Sequence, residues 1–203
     1  MRVLAISGSL RAKSTNTSAL KAAARLAPAG MDIVLYDGLS TLPHFNPDLD
    51  TDVPPAPVLA LRREIGSCQG LLLSSPEYAR GIAGAMKNAL DWLVGSLEFP
   101  GKPVALINAS PRATDADAHL RLTLATMSAR LVEAASITLP CSDAISTRKE
   151  LCSTPSCRHR CGRLSRASPP PSARRARPLP PFRSTMGATT GLLQTLHFTG
   201  KTV

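Results

Sequence analysis

Five short, almost wholly apolar runs constrain this chain more than any other feature. They lie at 2–7, 32–36, 70–75, 104–109 and 136–139. Between them, 15–26, 58–66, 82–94 and 115–131 read as helices, the last with Leu120, Leu124, Met127 and Leu131 at spacings of four, three and four. Strands alternating with helices predict a parallel sheet covered on both faces. Strands buried on both faces lose the apolar–polar alternation, as these have. Right-handed crossovers then give an α/β, doubly wound, three-layer sandwich around a five-stranded parallel sheet. In such a sheet, ligands bind in the crevice beyond the carboxyl ends of the strands.

The 203 residues allow one domain with a sizeable core plus an appendage. A hydrophobic content of 43% suits a soluble globular protein. No apolar run approaches the roughly 18 to 20 residues of a membrane span. Met1-Arg2-Val3-Leu4 runs straight into the first strand without the apolar core of a signal peptide, so a cytoplasmic location and no membrane partner are expected. Of 24 Lys+Arg and 14 Asp+Glu, residues 1–146 hold 13 of each and residues 147–203 hold the remaining 11 and one. The whole net charge of +10 therefore belongs to the last part of the chain. It gives no reason to read the first part as binding nucleic acid.

Two loops carry the chemistry. The first, Gly8 to Asn16 (GSLRAKSTN), leaves the first strand and enters a helix. Gly8 suits a sharp turn. Ser9, Ser14, Thr15 and Asn16 bring side-chain donors and Arg11 a cationic fork, while the helix start directs free N–H groups at the loop. A phosphate monoester fits that donor set. An ordinary strand–turn–helix connection with Ser/Thr/Asn capping uses the same residue types. Neither G-x-G-x-x-G nor a Gly-Lys-Ser/Thr ending is present, so dinucleotide and P-loop fingerprints are excluded. The second loop, Pro76 to Trp92 (PEYARGIAGAMKNALDW), follows the third strand. Tyr78 is placed to lie against an aromatic ring, and Gly81 and Gly84 to allow close backbone approach. Asn88 and Asp91 share a helix face, and Trp92 reads as core.

These two segments closely resemble the NADPH-dependent FMN reductase family, over roughly residues 1–140. The resemblance implies a flavodoxin-like fold, FMN as cofactor and NADPH or NADH as hydride donor. The acceptor it implies is a quinone, azo compound or other small molecule. It implies that Ser9, Arg11, Ser14, Thr15 and Asn16 bind the FMN phosphate and that Pro76, Glu77 and Tyr78 bracket the ring. Ala79 stands where members often carry Asn. Ser110 alone is carried over from the loop after the fourth strand, which lacks the family's glycines. A homodimer or homotetramer is implied, with the helix bearing Lys87 to Trp92 near an interface. No metal and no catalytic side chain is expected, because the flavin carries the chemistry. A non-catalytic FMN-binding or interaction module of the same fold, with a basic tail for anionic partners, is the alternative.

Beyond residue 140 the strand–helix grammar stops. Residues 141–203 are rich in Arg, Pro, Ser and Cys, with Ser-Pro-Pro-Pro at 168–171 and four of the five cysteines. The expectation is a disordered segment standing where the fold's final helix belongs. Such a composition is what a GC-rich gene yields in a shifted reading frame. Cys152, Cys157, His159 and Cys161 lack the spacing of the usual zinc knuckles. With only Phe182 and Phe198 as aromatics after residue 146, the tail lacks the interleaving of a nucleic-acid arm.

Overall fold

The computed structural model describes residues 1–139. The sheet is built from β1 (Arg2–Ser7), β2 (Asp32–Tyr36), β3 (Gly70–Ser74) and β6 (Pro103–Asn108). Two further segments, β7 (Arg130–Leu131) and β8 (Ile137–Thr138), complete it. A separate antiparallel hairpin is formed by β4 (Glu77–Tyr78) and β5 (Gly81–Ile82). The helices are α1 (Thr15–Arg25), α2 (Ala56–Ser67), α3 (Gly84–Asp91) and α4 (Thr114–Thr126).

All sheet pairings are parallel, in the order β2-β1-β3-β6-β7, with β8 also on β6. The doubly wound α/β expectation therefore holds, with one refinement. The fifth position is split. Arg130 and Leu131 pair with Pro103 and Val104, and Ile137 and Thr138 pair with Ile107 and Asn108. A short 3-10 turn, Glu133–Ala135, bridges the two halves.

Alternation along β1 divides the core in two. Leu4 and Ile6 join Leu71, Leu73 and Leu106 against α2, α3 and α4 through Leu61, Ile65, Met86, Leu90, Leu120 and Leu124. Val3 and Ala5 join Leu72, Ala105 and Ile107 against Ala19, Leu20 and Ala23 of α1. Residues of β3 and of the middles of β1 and β6 are thus buried whichever way they point. The expected disordered tail, the missing final helix, the shifted frame and the Cys/His cluster lie on residues outside those described.

The third and fourth helices differ most from expectation. The fourth helix ends at Thr126, not Leu131. Ser128 takes the left-handed conformation (φ 61), its N–H meets Ala125 O at 3.0 Å, and Ala129 N–H meets Leu124 O at 2.9 Å. This is the Schellman stop, with serine where glycine is usual. Leu131 is half-buried because it sits in β7, so its fit to the helical spacing is a coincidence. The third helix runs from Gly84 to Asp91, not 82 to 94, since Ile82 belongs to the hairpin.

The polar residues of α3 fasten the long connection that follows β2. Asn88 Oδ1 accepts the Phe45 N–H at 2.7 Å, and Asn88 Nδ2 donates to Pro43 O at 2.9 Å. Trp92 Nε1 donates to the same carbonyl at 2.8 Å, and its ring meets Phe45 edge-on at 5.0 Å. Arg62 joins Asp50 to the Trp92 carbonyl. Trp92 is fully buried, as expected of a core residue. Lys87 and Asp91 pair with each other along the helix. Removing both bonds of Asn88 leaves the Phe45 N–H without its acceptor. The Asn88→Ala variant is expected to lose about 2 kcal/mol of stability, read as a lower denaturant midpoint at unchanged slope.

Candidate active site

Three loops meet beyond the carboxyl ends of β1, β3 and β6. They enclose a cleft of about 320 Å³ lined by Thr15 and Asn16, by Ser75, Pro76 and Glu77, and by the segment Asn108–Ala113 except Pro111. The sequence-based set is therefore brought together in part: Thr15, Asn16, Pro76, Glu77 and Ser110 line the cleft. Ser9, Arg11 and Ser14 sit on the same entry loop without lining it, and Tyr78 is about half exposed on β4.

The entry loop is shaped by its own hydroxyls. Ser14 caps α1, its Oγ accepting from the Thr17 N–H at 3.2 Å and its carbonyl from the Ser18 N–H at 2.9 Å. The N–H groups of Thr15 and Asn16 keep no partner among the described residues, and α1 has no acid in its first turn. An anion is therefore matched by open donors and by the helix dipole. Gly8 is required by crowding. A Cβ there would lie 2.9 Å from Ser75 Oγ and 3.0 Å from Met86 Cβ, so only glycine lets the β1 loop lie this close to the β3 loop. A Cβ at Gly81 would meet only Tyr78 O, at 3.6 Å, and one at Gly84 nothing within 4 Å.

Below the cleft, Ser74 is 1% exposed. Its hydroxyl lies 2.8 Å from Asn16 Oδ1 and 2.7 Å from Ile107 O, so one proton is shared between two acceptors on neighbouring elements. This leaves the Nδ2 end of Asn16 for the cleft. On the far side Asn108, also buried, clamps the β6 loop. Its Oδ1 accepts from the Ser110 N–H at 3.1 Å, and its Nδ2 donates to Ala113 O at 3.0 Å.

Glu77 has a structural task. Its Oε2 accepts the N–H groups of Asp115 (3.1 Å) and Ala116 (3.0 Å), two of the open donors of α4. The N-cap position of α4 is Ala113, which has no side chain to do this. The hairpin is thereby fixed to α4. Arg80 adds an ion pair to Asp115, but its side chain is 83% exposed, where such a pair contributes little.

Asn108, Ser75 and Arg112 were missed by the sequence reading. Asn108 had a signal, a polar residue closing an apolar strand at the carboxyl edge of the sheet. Cys68, the single free cysteine among the described residues, is buried beneath α2, and burial pushes its thiol above the usual range. It has neither the exposure nor the thiolate character of a reactive group.

The hairpin turn carries strain. Ala79 (φ 49) and Arg80 (φ 61) both occupy the left-handed region, as a two-residue turn with primed geometry demands. Neither residue favours it. Replacing the pair by Ala79→Asn with Arg80→Gly is expected to raise stability by about 1–2 kcal/mol, despite the loss of the exposed Arg80–Asp115 pair. Thermal unfolding of the double variant checks this; a lower melting temperature would contradict it.

Comparison with known proteins agrees with this geometry. A family model described as NADPH-dependent FMN reductase matches residues 1–142. An NAD(P)H-dependent FMN reductase of Pseudomonas aeruginosa is 42% identical over 129 residues, covering 61% of this chain and 69% of that protein. A 2-hydroxy-1,4-benzoquinone reductase of a Burkholderia species is 36% identical over 127 residues, covering 60% and 68%. The solved structure of FerB, a flavoenzyme NAD(P)H:(acceptor) oxidoreductase from Paracoccus denitrificans, superposes with a TM-score of 0.62. It is 26% identical, and the match covers 81% of this chain and 93% of that one. Three loops on one cleft, an open helix N-terminus and the family match lead to one conclusion: the chain belongs to the NADPH-dependent FMN reductase family.

Proposed function

We propose that this protein is an FMN-dependent NAD(P)H oxidoreductase whose cofactor lies across the cleft between the β1, β3 and β6 loops, and whose acceptor is a quinone. The observation that carries the reading is the convergence of the three loops on one cleft with the N–H groups of Thr15 and Asn16 open. The donor set fits the group: hydroxyls, amides and a helix N-terminus for a phosphate at one end, and a clamped loop and a hairpin for a ring at the other. When bound, FMN supplies the means to take a hydride from NAD(P)H and pass two electrons to an acceptor. The quinone assignment draws on the relatives named for FMN and quinone reduction.

The chain's own residues bind and orient. Thr15 and Asn16 hold the phosphate, with Ser9, Arg11 and Ser14 completing the loop around it. Pro76, Glu77 and Tyr78 bracket the ring from the hairpin, and Ser110 approaches it from the β6 loop. Glu77 acts as a positioning residue, because its Oε2 caps α4 and fastens the hairpin to that helix. Tyr78 offers an exposed aromatic face on which a planar acceptor can stack. A cytoplasmic location and a homodimer or homotetramer belong to the same proposal. Val94 and Leu97, just beyond α3 and 64% and 93% exposed, give a second copy an apolar surface to cover.

Anaerobic absorbance spectra of the protein with FMN, before and after NADPH, test the reading. Retained flavin that bleaches with NADPH and recolours with a quinone is the expected result. Flavin that is retained but not bleached would favour a non-catalytic binding module, and no retention would contradict the site. The Asn16→Ala variant is expected to bind FMN about tenfold or more weakly, as loss of a hydrogen bond to a charged group implies. Fluorescence titration of FMN measures it.

A further inference from the structure

We propose that Arg112 stabilises the negative charge that hydride transfer leaves on the bound ring, and so raises the reduction potential of the cofactor. The inference rests on the flavin reading above. A hydride carries two electrons and one proton. A neutral ring that accepts it from NAD(P)H, which leaves as NAD(P)⁺, therefore holds one extra negative charge until a second proton arrives from solvent. A site that favours reduction must meet that charge with a cation or with open N–H donors.

The cleft holds two ionisable side chains, Glu77 and Arg112. Glu77 occupies the N–H groups of Asp115 and Ala116, and Asp115 and Asp117 stand in that helix's first turn. The positive end of α4 is thus largely offset by three carboxylates. Arg112 is different. Its guanidinium is exposed and makes no hydrogen bond or ion pair among the described residues. Its backbone, by contrast, is held on a closed turn. The Arg112 N–H meets Ser110 Oγ at 3.4 Å, the Ala113 N–H meets Ser110 O at 3.1 Å, and Asn108 ties Ser110 to Ala113. A rigid frame with a free cation at its apex is what positioning a charge requires.

Placement selects the ring over the phosphate. The phosphate loop follows β1, and β3 lies between β1 and β6 in the sheet. Arg112, on the β6 loop, therefore stands across β3 from the phosphate end, which has Arg11 on its own loop.

The test uses the full chain and its Arg112→Gln and Arg112→Lys variants, loaded with FMN. Two quantities are read: the affinity for oxidised FMN by fluorescence titration, and the midpoint potential by anaerobic equilibration with a reference dye. For Arg112→Gln, oxidised FMN binds as in the unaltered chain, but reduced FMN binds about tenfold more weakly relative to it, a fall of about 30 mV for a two-electron couple. Arg112→Lys keeps most of the potential. An unchanged potential in Arg112→Gln overturns the proposal. So does a loss of oxidised FMN at unchanged potential, which would place the guanidinium on the phosphate. If the unaltered chain retains no FMN, the flavin reading fails and takes this inference with it.

Discussion

The site depends on one buried hydroxyl. Ser74 closes β3 and shares its proton between Asn16 Oδ1 at the start of α1 and Ile107 O near the end of β6. A helix and two strands far apart in sequence are held together at the depth where the cleft begins. With so little solvent at that point, a lost partner would leave a bare acceptor in a low-dielectric interior, which is costly. Gly8 adds a steric condition to the polar one, because the β1 loop can reach Ser75 only without a Cβ. The cleft floor is therefore fixed before any ligand arrives, as a site that must align two planar reactants requires.

The two walls are fixed by different means. Asn108 clamps the β6 loop from within, using both ends of its amide. Glu77 fixes the hairpin from outside by serving as the missing cap of α4. Each wall thus has a polar side chain doing a structural job at the edge of a functional space. The most specific-looking part of the second loop works further away. Asn88 and Trp92 hold Pro43 and Phe45, so their contribution is to the frame that carries the loop. Specificity of sequence in that helix reflects packing as much as chemistry.

Much of this was legible in the sequence. The strands expected at 2–7, 32–36 and 70–75 stood out as short apolar runs, and the third ends one residue early, at Ser74; the two loops stood out because donors cluster where strands end. What was not legible is long-range. Nothing local tells that Glu77 reaches a helix starting 37 residues later, or that Ser74 faces Asn16 across 58 positions. The end of α4 was overrun because Leu131 continues the helical spacing by chance and Ser128 is not the glycine that announces a stop. Arg112 carried no motif, and only the cleft it lines gives it meaning.

The central claim is that the β1, β3 and β6 loops form a single FMN site. Hydrogen–deuterium exchange of the full chain, with and without FMN, tests it most directly. Slower exchange at 8–18, 75–83 and 108–116 together, with little change at 43–50, is the predicted result. Protection confined to one loop, or none at any of the three, would contradict it.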